Sequence, residues 1–288
     1  MASTREIRRR IKSVKSTSQI TKAMEMVAAA KMRRAQERVL AARPYAHSMK
    51  EIIIDVAHAS AGGEVLHPLL RRQDTGKIGI VFISGDRGLC GGFNANVIRR
   101  VVNFIEEAKE PTTLVTVGRK GRDFLVRYGY HLSAEYSLLG DAPSSMDAVP
   151  IARSVMDDYI GGRLRRVYLI YTEFVSTMTQ RAVVQQLLPV EPGRLVEDGP
   201  GSADYIYEPS PQGVMSVLVP RFVEVQVYQA ILESRASEES ARMVAMRNAT
   251  DNAKELIDSL TLTYNKARQQ AITGELVDIT TSIQAMRK

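Results

Sequence analysis

The chain has 288 residues, 44% of them hydrophobic and 25% charged, a balance typical of soluble proteins with one large or two modest domains. No run of about 18 apolar residues occurs, which argues against a hydrophobic membrane span, and Cys90, the single cysteine, excludes an intrachain disulfide. The net charge is +7, and the excess is N-terminal: residues 1–50 hold 13 Lys/Arg against 3 Glu, residues 51–220 hold 17 against 20 acidic residues, and residues 221–288 hold 9 against 9.

Met1 to Arg43 contains no Gly and no Pro. Ile7, Ile11, Val14, Ser18, Thr21, Glu25, Ala28, Met32, Ala35 and Val39 step by four and three, a heptad-like seam that is apolar at its ends and polar in its middle. Ile20, Met24, Val27 and Lys31 form a second stripe beside it. Pro44 is a candidate kink, and Gly62-Gly63 is the expected end of the helix. The start is Arg-rich but lacks an apolar signal core, and Glu6, Glu25 and Glu37 interrupt it, so neither a secretion signal nor a transit peptide is expected.

The middle reads as alternating β and α. Lys77–Ser84 is a buried strand followed by a glycine-rich turn, Gly85–Gly92. A helix follows over Asn94–Ala108 with Asn94 as its cap, then strand Leu114–Gly118, helix Lys120–Tyr128, helix Asp147–Ile160, and strands Arg166–Phe174 and Arg181–Pro189. Pro192–Pro211 holds most of the loop residues. From Arg221 to Lys288 there is no Pro and one Gly, Gly274. A helix over most of Gln212–Ala285 would span roughly 110 Å at ~1.5 Å per residue, more than a compact domain needs. Its seam is Met243, Met246, Thr250, Ala253, Ile257, Leu260, Tyr264, Ala267 and Ala271, and beyond it Leu276, Ile279, Ile283 and Met286 form an apolar tip. The two ends are expected to pair as a shaft, with the middle folding separately.

Chemistry is hard to find. The turn Ser84–Asn94 lacks the Lys-Ser/Thr of a P-loop and the GxG of a dinucleotide fingerprint, so it reads as a tight turn where backbone approaches backbone. Cys90 reads as a structural thiol. His47, His58, His67 and His131 are scattered, with no metal-ligand spacing. No nucleophile, base and oxyanion donors fall in a recognisable order. The residues favour a mechanical or interaction protein. The basic first helix implies an acidic partner, whether nucleic acid, anionic lipid or protein, or else a solvated face.

Three blocks carry a family likeness: Ile7–Arg34 (above all Gln19–Val27), Ser84–Asn94 (SGDRGLCGGFN) and Leu232–Ile283, with LESRASEESARMVAMRNATDNA and YNKARQQAITGELVDI. In these the chain resembles the γ subunits of F-type ATP synthases. The resemblance implies an α/β fold class: an antiparallel coiled coil of long N- and C-terminal helices with a central Rossmann-like α/β domain. It divides the chain into a coil helix over 1–61, an α/β foot over 75–211 and a second coil helix over 212–288.

The implied function is that of a rotor shaft, without catalysis, cofactor or metal in this chain. The implied partners are three α and three β subunits, ε and the c-subunit ring, with δ as an indirect neighbour. No nucleic acid is implied, and membrane association runs only through the complex, at the cytoplasmic face of a bacterial plasma membrane. Lys22, Met24, Arg268 and Gln269 are the implied contacts to β. Ile272, Leu276, Ile279 and Ile283 would turn in an α/β sleeve, and Tyr205, Tyr207 and Glu208 would meet the c ring or ε. Two rival readings remain: a basic coiled coil that binds nucleic acid with steep salt dependence, and an α/β enzyme that uses the Gly85–Gly92 turn for a nucleotide.

Overall fold

The computed structural model describes residues 4–59, 67–137, 139–191, 208 and 210–286. Their contacts divide the chain into two units, one of Met1–Val27 with Met243–Lys288 and one of Ala28–Arg242. The division falls inside both long helices, α1 (Thr4–Ala59) and α5 (Pro211–Met286). Pro44, the candidate kink, lies inside α1, and Pro220 lies inside α5. Pro44 and Pro220 free the carbonyls of Leu40 and Ser216, and both of those residues are exposed to water.

The unit of residues 28–242 is built on a five-stranded sheet. Its elements are a 3₁₀ turn (Pro68–Leu70), β1 (Lys77–Ile83), α2 (Phe93–Ala108), β2 (Thr112–Val117), α3 (Arg119–Arg127), β3 (Leu132–Tyr136), α4 (Ser145–Ile160), β4 (Leu164–Phe174) and β5 (Gln180–Leu188). Strand order is β3-β2-β1-β4-β5, parallel except for β5, which pairs antiparallel with β4. Central β1 is apolar along its length because both faces are covered. Alternate residues serve opposite layers. Ile78, Ile80 and Phe82 pack with Val97 and Val101 of α2 and Leu125 of α3. Val81 and Ile83 join a core with Ile53 and Val56 of α1, Ile151 and Val155 of α4, and Met215 and Val223 of α5.

Strand β3 was not expected, and α2 begins one residue before the expected start. Asn94 is not the cap of α2: Gly92 holds that position. The Asn94 side chain accepts from Gly85 N (2.9 Å) and donates to the Arg87 carbonyl (3.2 Å), so it ties the glycine-rich turn together. Helix α4 carries a capping box instead, between Ser144 and Asp147.

The unit of residues 1–27 with 243–286 is an antiparallel helix pair. The Thr21 and Thr250 hydroxyls meet at 2.8 Å, and Arg247 reaches Glu25 at 3.3 Å. Ile7, Met246, Thr250 and Ala253 are buried on the expected seam. Carried along the pair, this register sets Thr4 opposite about residue 267, and beyond Ala267 every described side chain of α5 is exposed.

Candidate functional site: a filled crevice and an unpaired tip

In open α/β sheets, ligands settle at the carboxyl ends of the strands, where the strand order reverses. Here that point lies between β1 and β4, and the turn after β1 borders it. The turn is closely packed. Ser84 Oγ accepts from Gly121 N (2.9 Å) and donates to the Gly118 carbonyl (3.2 Å). Gly118 has φ 102°, and a Cβ there would lie 2.1 Å from the Ser84 carbonyl oxygen. The backbone approach expected within Gly85–Gly92 is thus made by Gly118, outside it: a Cβ at Gly85 would meet the Glu238 and Asn94 side chains, one at Gly92 the Asn96 side chain, and one at Gly88 nothing within 4 Å. The remaining cavity is about 40 Å³ and is walled in part by Ile231, Ser234, Arg235 and Glu238 of α5. It has room for a few waters at most.

Charged groups of α5 fill the rest. Arg242 bonds Glu238 and Glu239 and reaches the Gly88 carbonyl (3.5 Å). Arg235 pairs with Glu238 (2.8 Å) and with Asp141, which also holds Lys31 of α1 (2.6 Å). Glu238, Glu239 and Arg242 are buried. Burial alone would lower the Arg242 pKa, but the two glutamates outweigh it and the guanidinium is held charged. The hydrogen bond from Lys31, reinforced by Arg235, lowers the Asp141 pKa. Burial pushes the Cys90 thiol up and Glu238 adds to the effect, so Cys90 stays protonated and is a poor nucleophile. Among the described residues no group of three or more His, Cys, Asp or Glu could hold a metal.

The ion network went unassigned in the sequence. Its only local signal is the spacing of Arg235, Glu238, Glu239 and Arg242, three and four apart on one helix face. Asp141 and Lys31 lie far away in sequence.

The helix pair presents an extended surface with one buried carboxylate on its seam. Glu25, 6% exposed, accepts from Lys22 (3.0 Å) and Arg247 (3.3 Å), and the Lys22 hydrogen bond leads the lowering of its pKa. Lys22 is exposed and Met24 half-buried, while Arg268 and Gln269 are exposed. The two sets are not brought together: the register separates them by roughly 30 Å along the pair at ~1.5 Å per residue.

Beyond Ala267, α5 continues to Met286, with no described residue of α1 opposite it. Ile272, Leu276, Ile279, Ile283 and Met286 recur in steps of four and three and are 48–89% exposed. Glu208 is exposed, and Tyr205 and Tyr207 lie outside the described residues.

The ATP synthase family profile matches residues 3–286. The ATP synthase gamma chain of Dehalococcoides mccartyi strain CBDB1 is 55% identical over 280 residues, covering 97% of each chain. That of Herpetosiphon aurantiacus is 50% identical over 298 residues, covering all of both. Among solved structures, a chain of the Tetrahymena thermophila mitochondrial ATP synthase central stalk and c ring is 28% identical with a TM-score of 0.61, covering 80% of this chain and 99% of that one. A chain of the Euglena gracilis mitochondrial ATP synthase (OSCP, F1 and c ring) shares the fold with a TM-score of 0.64 at 21% identity, covering 98% of this chain and 94% of that one.

Proposed function

This chain belongs to the ATP synthase gamma-chain family, and from that premise we propose that it is the central rotor shaft of an F1Fo ATP synthase. It couples ion-driven rotation of a c-subunit ring to the conformational cycle of the catalytic β subunits, and it runs in reverse with ATP hydrolysis. The observation that carries this reading is the α5 tip. An unbroken apolar stripe on a helix face exposed to water calls for a surrounding surface. A sleeve formed by the α and β subunits supplies one.

The chain itself performs no chemistry. Torque passes through the paired helices, whose basic face meets acidic surfaces of β. Lys22 and Met24 touch β at one level of the pair, and Arg268 and Gln269 touch it at another. Contact at two levels suits a shaft that must push a subunit without tilting. Ile272, Leu276, Ile279 and Ile283 turn within the sleeve. Glu208, with Tyr205 and Tyr207, belongs to the surface that meets the c ring or ε. The complex is membrane-bound, and this chain lies on the cytoplasmic face of a bacterial plasma membrane, held there through its partners. The closed crevice supports the non-catalytic reading, because Arg235 and Glu238 stand where a nucleotide would need room.

The test is co-expression with the host's α and β subunits, followed by single-molecule observation during ATP hydrolysis. A complex of three α, three β and one copy of this chain that turns in steps is the expected result. Failure to assemble from three soluble, folded chains would remove the reading and return attention to salt-dependent nucleic-acid binding.

A further inference from the structure

Helices α2 and α3 leave a groove of about 650 Å³ on the outer side of their layer. Each helix contributes one face to it. On α2 the lining residues include Ala95, Ile98, Arg99 and Val102, and on α3 they are Lys120, Asp123, Phe124 and Arg127. Both sets follow the three-and-four spacing of a helix stripe, so the groove has the form left when a three-helix layer lacks its third member. Its floor is Ile98, Val102 and Phe124, all half-buried.

The rim is basic. Some arginines of this unit are matched with carboxylates, such as Arg163 with Asp158 and Arg181 with Glu173, and others, such as Arg153 and Arg166, are not matched among the described residues. Arg99, Lys120 and Arg127 form no ion pair among the described residues. The one carboxylate on the rim, Asp123, is held by Arg122 at 2.7 Å, and that hydrogen bond, with the nearby charges of Arg119 and Lys120, lowers its pKa. An apolar floor flanked by Arg99, Lys120 and Arg127, against the single carboxylate of Asp123, fits an amphipathic helix that carries carboxylates on both sides of its apolar stripe. We propose that the α2/α3 groove is a docking site for an acidic amphipathic helix of a partner protein. Helix α3 has nine residues, about 13 Å, so two to three turns of the partner would be engaged.

The probe is a fluorescein-labelled helical peptide of about 14 residues (~20 Å of helix), with leucines on one face and glutamates elsewhere. It is titrated against the full chain, alone and within its assembled complex. Saturable binding is expected, weakened at least tenfold by Val102→Glu and by the pair Arg99→Glu and Arg127→Glu, and weakened as salt rises. These positions lie at the surface, and an unchanged melting temperature confirms that the variants fold. The proposal is overturned if the same peptide with lysines binds as well, if polyglutamate without the leucine face binds as well, if neither variant weakens binding, or if nothing saturates. Displacement of the peptide by anionic vesicles at lower concentration than by unlabelled peptide would assign the groove to lipid, and that also overturns it.

Discussion

Replacing Leu276, Ile279 and Ile283 together by Gln separates what the tip does for the chain from what it does for the assembly. Full burial of one such side chain contributes about 1.5–3 kcal/mol. In the chain alone these three are 58%, 56% and 51% exposed, so roughly half of that remains for a surrounding sleeve to gain. The sum is about 3 kcal/mol, or two orders of magnitude in affinity at ~1.4 kcal/mol per tenfold. Gln is at least as good a helix former as Ile, so the helix itself is not weakened. The isolated triple variant should therefore melt where the parent does. Its capture by complexes of α and β, followed by titration with labelled chain, should need about a hundredfold more protein, and rotating particles should shed their shaft sooner. Unchanged assembly and stepping would mean that the tip is not enclosed. A fall of many degrees in the melting temperature of the isolated variant would mean that the tip packs on its own chain. Either result refutes the reasoning.

The other expectations concern the scaffold. Gly118→Ala places a Cβ against the Ser84 carbonyl at a positive φ, costing about 3–5 kcal/mol, whereas Gly129→Ala (φ 80° with open space around it) costs only the backbone strain, about 1 kcal/mol. Urea titration should separate the two clearly, and equal midpoints would contradict the packing described for the turn. Glu233 is buried, its Oε2 has no partner, and burial raises its pKa. The folded state thus holds its proton more tightly than the unfolded one, and this contribution to stability is present below pH 4.5 and fades as pH rises toward the folded value. Glu233→Gln should flatten that slope and be at least as stable at neutral pH, as thermal melts across pH would reveal. Glu25 has the opposite sign: its lowered pKa gives stability above pH 4.5 that is lost as acid protonates it in the folded pair. Glu25→Gln should remove this acid sensitivity from the circular dichroism melt of the helix pair, and an unaltered acid slope would deny that Glu25 is its source.

The long helices were legible because burial on them follows a one-dimensional rule. Residues on the three-and-four seam from Ile7 to Val39 are buried or half-buried, and the C-terminal seam is exposed past Ala267, opposite the first described residue of α1. The buried strands β1 and β4 announced themselves as apolar runs. Strand β3 did not, because Leu132–Tyr136 is half-buried at best, is short, and carries Ser and Glu among its five residues. Asn94 misled because the same side-chain oxygen that caps a helix can equally accept a turn amide. The ion network from Lys31 to Arg242 was illegible for a different reason. Charges read in isolation look solvated, and only folding brings Asp141 between Lys31 and Arg235. The position of Arg235 and Glu238 in the crevice also explains why the glycine-rich turn carries no nucleotide signature.

The meeting of Thr21 and Thr250 has a mechanical side. Two hydroxyls and one buried carboxylate find their partners in a single alignment of the helices. Sliding one helix by a heptad, about 10 Å, would set Thr250 against Val14 or Ala28 and leave Glu25 without Arg247. Such a polar step in an otherwise greasy seam weakens the zipper but defines its alignment. A driveshaft made of two rods needs that property more than it needs tight adhesion, because torque arriving at one end would otherwise be lost as slippage between the rods.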